Sequence, residues 1–247
     1  MKNALALLSI GMLAACGSSE PEPAPAPTPT VAAPRTLVGA DLDLSTLGAK
    51  IVGPQGPEVR TVLSAGNREI GRLVSYVACP ADTAECKPGE MPEGTVYTYV
   101  HSVTLTDADD GTQMAETDGP EVVESAPTLF RTIRKVSGFN QSVGYSTAEA
   151  EATLGDPDAI SITNDSGSLI WRVSRGSGWK PGGTMTFWWQ STTPPQGPAE
   201  AYLLEVDGNQ AIATGPFPAE EKPVEGARPR WRSGQGAGKV GALMALS

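Results

Sequence analysis

The chain has 247 residues, with 18 basic and 28 acidic side chains, a formal charge of −10 and a single histidine. An acidic chain is repelled by nucleic acid and by anionic head groups, which argues against a DNA- or RNA-binding role unless a local basic patch reverses it. Aromatic residues make up 6% and 22 residues are proline, so the chain is loop-rich yet long enough to bury a real core.

Met1, Lys2 and Asn3 precede an apolar run over residues 4–15, interrupted by Ser9 and Gly11. One early positive charge, a short apolar stretch and small residues before a cut form an export signal. The run is too short to cross a hydrocarbon core of about 30 Å as a permanent helix. It ends in Leu13-Ala14-Ala15-Cys16-Gly17, which resembles the lipobox of bacterial lipoproteins. The resemblance covers these residues alone. It implies removal of residues 1–15, a diacylglyceryl group on the Cys16 thiol and acylation of the new amino terminus. Several acyl chains imply durable membrane anchoring, because each buried CH₂ contributes about 0.8 kcal/mol. Gly17, rather than an aspartate, after the cysteine implies the outer membrane of a Gram-negative cell. Cleavage takes away one lysine and no acid, so the formal charge moves from −10 to −11.

Of the three cysteines, lipid accounts for Cys16, which leaves Cys79 and Cys86 as a pair. Export places that pair where disulfides persist. The C-x₆-C spacing differs from the C-x₂-C of redox and zinc sites, so the pair reads as a structural disulfide. Closing a loop of about 8 residues contributes roughly 2.5 kcal/mol on chain-entropy grounds.

Residues 16–34 carry the lipidated cysteine and a tether that includes Pro21-Glu22-Pro23-Ala24-Pro25-Ala26-Pro27. Alternating proline favours polyproline II at about 3.1 Å per residue, a spacer of roughly 50 Å with no capacity to pack a core. Residues 35–247 then read as one domain. Short runs rich in Val, Thr, Tyr and Trp alternate with Gly, Pro, Asn and Asp clusters, which is strand-and-turn punctuation. Strands are expected over 70–78 and 95–106, paired with each other and with the disulfide in their connection, and a further one over 129–135. Ser146-Thr147-Ala148-Glu149 reads as a capping box that opens a helix over 147–154, stopped by Gly155. Two hairpins follow: 169–174 with 184–190, and 201–206 with 210–214 through the tight-turn signal Asp207-Gly208-Asn209. The fold class is therefore mainly β, an antiparallel β-sandwich or jelly roll with one short helix.

The expected 169–190 hairpin carries the leading binding candidate. Its register sets Trp171 against Phe187, Leu169 against Trp189 and Val173 against Met185 as an apolar face. Alternation sends Ile170, Arg172, Thr186, Trp188 and Gln190 to the other side. There Trp188 and Ile170 form an apolar spot ringed by polar groups such as Arg172, with Trp179 nearby in the connecting loop. Flat aromatics beside hydrogen-bonding groups suit a sugar. The plainer alternative puts Trp188 in the core beneath the 191–198 loop.

The remaining constellations are weaker. Asp107-Ala108-Asp109-Asp110-Gly111 places its glycine one position early for a calcium loop, so it reads as an acidic turn and no metal site is expected. His101 falls in the strand set Tyr97, Tyr99, His101, Val103, Leu105, the pattern of a hydrogen-bonded core histidine, and the chain has no G-x-S-x-G elbow. Gly234-Gln235-Gly236-Ala237-Gly238-Lys239-Val240 imitates a phosphate loop but fails in spacing and lacks Ser/Thr after the lysine. Arg228, Arg230, Trp231 and Arg232 read as a terminal strand with its arginines on one face; phosphates or an acidic partner are the functional alternative. Together these features predict a membrane-anchored envelope lipoprotein that displays a non-enzymatic binding or assembly domain for a glycan or protein partner, without a cofactor. The alternative is a carbohydrate hydrolase whose carboxylate pair converges only in three dimensions.

Overall fold

Leu73, Ser75 and Val77 alternate with Arg72, Val74 and Tyr76 along β3 (Arg68–Ala78); the first set is buried, the second half-buried or exposed. This two-residue period is what a strand with one covered face requires. β4 (Tyr97–Leu105) repeats it with Tyr99, His101 and Val103 inward, and pairs antiparallel with β3 from Gly71↔Leu105 to Ala78↔Thr98. The Cys79 and Cys86 sulfurs are bonded at 2.00 Å in the connection between the two strands, as expected.

The computed structural model describes residues 33–106 and 128–220, which fold as two antiparallel sheets packed face to face. One sheet has the order β2 (Val59–Ala65), β3, β4, β9 (Thr184–Ser191), β6 (Phe139–Tyr145). The other has the order β1 (Arg35–Leu37), β7 (Ile160–Asp165), β8 (Ser168–Val173), β5 (Leu129–Thr132), β10 (Pro195–Val206), β11 (Asn209–Pro218). The fold is thus the expected β-sandwich with one short helix. Cys16 with the tether up to residue 32, the 107–111 acidic turn, the Arg228–Arg232 cluster and the 234–240 stretch lie outside the described residues.

Its centre is aromatic. Tyr99 stacks on Trp189 at 4.2 Å between centroids, and Phe130 stacks on Phe187 at 5.2 Å. Tyr202 lies 4.2 Å from the His101 ring and donates its hydroxyl to Pro216 O at 2.8 Å. A chain with few aromatics has concentrated them where each removes the most apolar area from water.

Helix α1 (Thr147–Leu154) has the predicted limits. Ser146 Oγ accepts from Glu149 N at 3.2 Å, and Gly155 closes the helix at φ 75°. The reciprocal half of the capping box does not form. Glu149 instead accepts from Thr186 N at 2.5 Å and from Thr186 Oγ1 at 3.1 Å, while Ser146 N donates to Thr186 O. The carboxylate serves β9 where β6 has ended and left that strand's amide free. Turns follow local chemistry: Asp207 at φ 49° and Gly208 at φ 76° join β10 to β11, the two-residue turn with both φ positive that matches strand twist.

One expected hairpin is absent. β8 pairs with β5 and β7, whereas β9 pairs with β4 and β6 in the opposite sheet. Trp171 and Phe187 do meet, 5.7 Å between ring centroids, but across the sandwich rather than along a ladder. The 174–183 connection passes from one sheet to the other and closes over the helix end, where Ser177 N donates to Leu154 O at 2.8 Å.

Candidate functional site

The four side chains singled out on the sequence do not form one site. Ile170 and Arg172 lie on the outer face of the six-stranded sheet; Trp188 lies on the outer face of the five-stranded sheet, across the core from them. Trp188 is 4% exposed. It packs against Gly144, where a Cβ would stand 2.7 Å from Trp188 Cζ2 and 1.8 Å from Ala40 O. The missing side chain admits both the indole and the Ala40 backbone, which bridges β6 there. The Ala40 backbone thus closes over β6 beside the indole, and half of the 191–198 segment is the start of β10 rather than a loop. Trp179 is 7% exposed, joins the core against the edge of Phe187 and donates Nε1–H to Gly183 O at 3.0 Å. Neither tryptophan offers an open ring to a ligand.

The buried polar centre is equally closed to chemistry. Trp189 Nε1–H donates to His101 Nε2 at 3.0 Å, and His101 Nδ1 lies 2.6 Å from Ser75 Oγ. An indole nitrogen only donates, so Nε2 holds the lone pair and the ring proton sits on Nδ1, pointing at Ser75. In that tautomer the imidazole cannot take the serine proton. Ser75 and His101 have no exposure, and burial pushes the imidazole down to about 3. The Ser–His contact is a satisfied core hydrogen bond, as the strand pattern of His101 predicts.

What does face outward is a row that crosses the six-stranded sheet: Ile170 on β8, Arg131 on β5, Leu203 on β10 and Ile212 on β11 are consecutive cross-strand neighbours. The next row on that face runs Arg172, Leu129, Glu205, Gln210. Leu129 and Leu203 are 7% and 5% exposed yet stand apart from the core cluster, whereas Ile212 is 55% exposed. They form an apolar bed on which two arginines sit as diagonal neighbours, about 7 Å apart by antiparallel geometry. Arg131 Nε is buried without a hydrogen-bond partner. Among the described residues neither Arg131 nor Arg172 joins an ion pair. Strand alternation puts three acids on this face as well, Asp165, Glu200 and Glu205, the last accepting from Gln210 Nε2 at 2.8 Å.

Arg131 escapes a sequence search that looks for aromatic platforms. The signal was present in Leu129-Phe130-Arg131-Thr132, where the buried Phe130 and Thr132 fix Arg131 on the outer side. What was missing was the neighbour relation between β5 and β8, which places Arg131 beside Ile170 and diagonal to Arg172. Among the described residues no group of three or more His, Cys, Asp or Glu converges as a metal site would require. The chain matches no protein-family model, no curated protein and no solved structure.

Proposed function

We propose that this chain is an envelope lipoprotein, anchored to the outer membrane of a Gram-negative cell through lipid on Cys16, that presents the β-sandwich as a binding or assembly domain. Leu13-Ala14-Ala15-Cys16 supports the anchor, and the proline-rich spacer supports display away from the bilayer. The observation that carries the binding half is Arg131. It lies on the outer face of the six-stranded sheet with its buried Nε lacking a hydrogen-bond partner, beside Arg172, which joins no ion pair among the described residues. Leaving a buried donor unmade costs about 1–3 kcal/mol, and Arg131 has a residue of like charge, Arg172, as its diagonal neighbour. A fold tolerates both readily where an anionic partner relieves both.

Anchoring is tested by fractionation. The mature protein should partition into detergent and carry lipid mass on Cys16, and Cys16→Ser should leave an uncleaved or soluble product. Normal membrane retention of that variant rejects the anchored reading.

A further inference from the structure

Gly144 on β6, Trp188 on β9, Val100 on β4 and Tyr76 on β3 are consecutive cross-strand neighbours and form a row across the outer face of the five-stranded sheet. Trp188 and Val100 are 4% and 1% exposed, yet both stand apart from the core cluster between the sheets. The indole Nε1–H of Trp188 is buried without a hydrogen-bond partner.

One segment of chain meets both ends of this row. At the β6 end, Ala40 N donates to Val143 O at 3.0 Å, and the Ala40 carbonyl stands where a Gly144 side chain would be. At the β3 end, Lys50 Nζ lies 3.8 Å from the centre of the Tyr76 ring. Three strand spacings separate β6 from β3, roughly 14 Å. The chain from Ala40 to Lys50 spans that with slack, which the 3₁₀ turn Leu44–Thr46 takes up. Leu42 and Leu44 are half-buried, whereas Asp41, Asp43 and Ser45 are exposed, so one side of the segment is turned toward the protein.

The far end of the segment sits in a clamp. One wall is the end of β3, where Cys79 N donates to Ala49 O at 3.0 Å and Ile51 N to Val77 O at 2.9 Å. The other wall is the loop that the disulfide closes. Ala49 N donates to Thr83 O at 2.8 Å, Ile51 bridges Cys86, and a Cβ on Gly48 would stand 2.0 Å from Pro80 O. Cys79 belongs to the first wall and Cys86 to the second, so their bond joins the two sides of the clamp.

From this geometry we infer that residues 41–49 are a strap laid along the Gly144–Tyr76 row, latched by the Cys79–Cys86 disulfide, and that reduction of the bond frees the strap and opens the row. The device goes beyond the binding reading and stands apart from the lipid anchor. A dithiol supplies the two electrons. One of its thiolates attacks Cys86, which lines an open groove with Val52 and Pro88, while Cys79 has no exposure. Cys79 leaves as a thiolate and takes up a proton. The second thiol of the reductant then closes that molecule's own disulfide and releases Cys86, so both protons of the dithiol end on the two cysteines. Opening is local, because Leu42, Leu44 and Leu47 contribute nothing to the core cluster and both sheets keep their ladders.

The test measures hydrogen exchange on the mature lipidated protein in detergent micelles, before and after treatment with dithiothreitol. Amides of the 48–51 segment should exchange at least about tenfold faster once the bond is reduced, while those of β5 and β8 in the other sheet keep their protection. Cys79→Ser/Cys86→Ser should show the same local change without reductant. Acrylamide quenching, taken as the difference between each protein and its Trp188→Phe counterpart, should rise on reduction. It should rise equally in Leu42→Asp/Leu44→Asp, which leaves the disulfide in place. Unchanged exchange over 48–51 on reduction overturns the latch. Equal acceleration across both sheets also overturns it, because the bond would then hold the whole fold. Unchanged Trp188 quenching in the double-aspartate variant overturns the strap.

Discussion

Acid should destabilise the sandwich through His101. The ring has no contact with water, and burial holds its pKa at about 3 in the folded chain, against 6.5 for an ordinary histidine. Above pH 6.5 the imidazole is neutral in both states and adds no pH dependence. Below it the unfolded chain takes up a proton that the folded chain refuses, so stability present at neutral pH is lost as pH falls from 6.5 toward 3. The loss is about 1.4 kcal/mol per pH unit, or about 2.7 kcal/mol by pH 4.5, a large share of the 5–15 kcal/mol typical of a domain. Urea midpoints at pH 7 and pH 4.5 should be compared for the wild type and His101→Gln, whose amide can accept from Trp189 and donate to Ser75. Carboxylates titrate in both proteins and cancel in the difference, so the wild type should lose about 2–3 kcal/mol more than the variant. Because the chain has one histidine, its ring nitrogens give one pair of signals. They should show the Nδ1–H tautomer with no titration near 6.5 while the domain is folded. Equal acid losses in the two proteins, or a folded-state titration near 6.5, would refute the sealed-histidine argument.

Trp188→Ala and Trp189→Ala should both cost about 3–5 kcal/mol in thermal or urea melts, because both rings are buried. Trp189→Ala should be the more damaging of the two, since it also strips His101 Nε2 of its donor. Thiol titration of denatured, unreduced protein should find neither Cys79 nor Cys86. Reduction should lower stability by roughly 2.5 kcal/mol, read as a shift in the urea midpoint.

Much of the architecture was legible because it is local. The two-residue period in 70–78 and 97–105 settles which side chains share a face, and one apolar face per strand leaves stacked sheets as the natural solution. Ser146 and Gly155 bound the helix because their side chain and backbone answer the free amides and carbonyls at its ends. Asp207-Gly208 makes its turn because the residues that tolerate positive φ stand where the strands must reverse.

Tertiary structure alone decided which strands became neighbours and what covered their outer faces. Alternation in 169–174 and 184–190 sets Trp171 and Phe187 inward whether the strands share a ladder or face each other across a core, so periodicity could not separate a hairpin from a sandwich contact. Backbone hydrogen bonds carry no residue identity, and the choice of partner is made by packing between segments distant along the chain. The fate of Trp188 turned on Gly144 and Ala40, more than forty and one hundred residues earlier in the chain, because room for an indole on an outer face exists only where a strand lacks a side chain and another backbone closes over it. The same long-range pairing set Arg131 beside Ile170 and diagonal to Arg172, since diagonal neighbours exist only once β5 and β8 lie side by side.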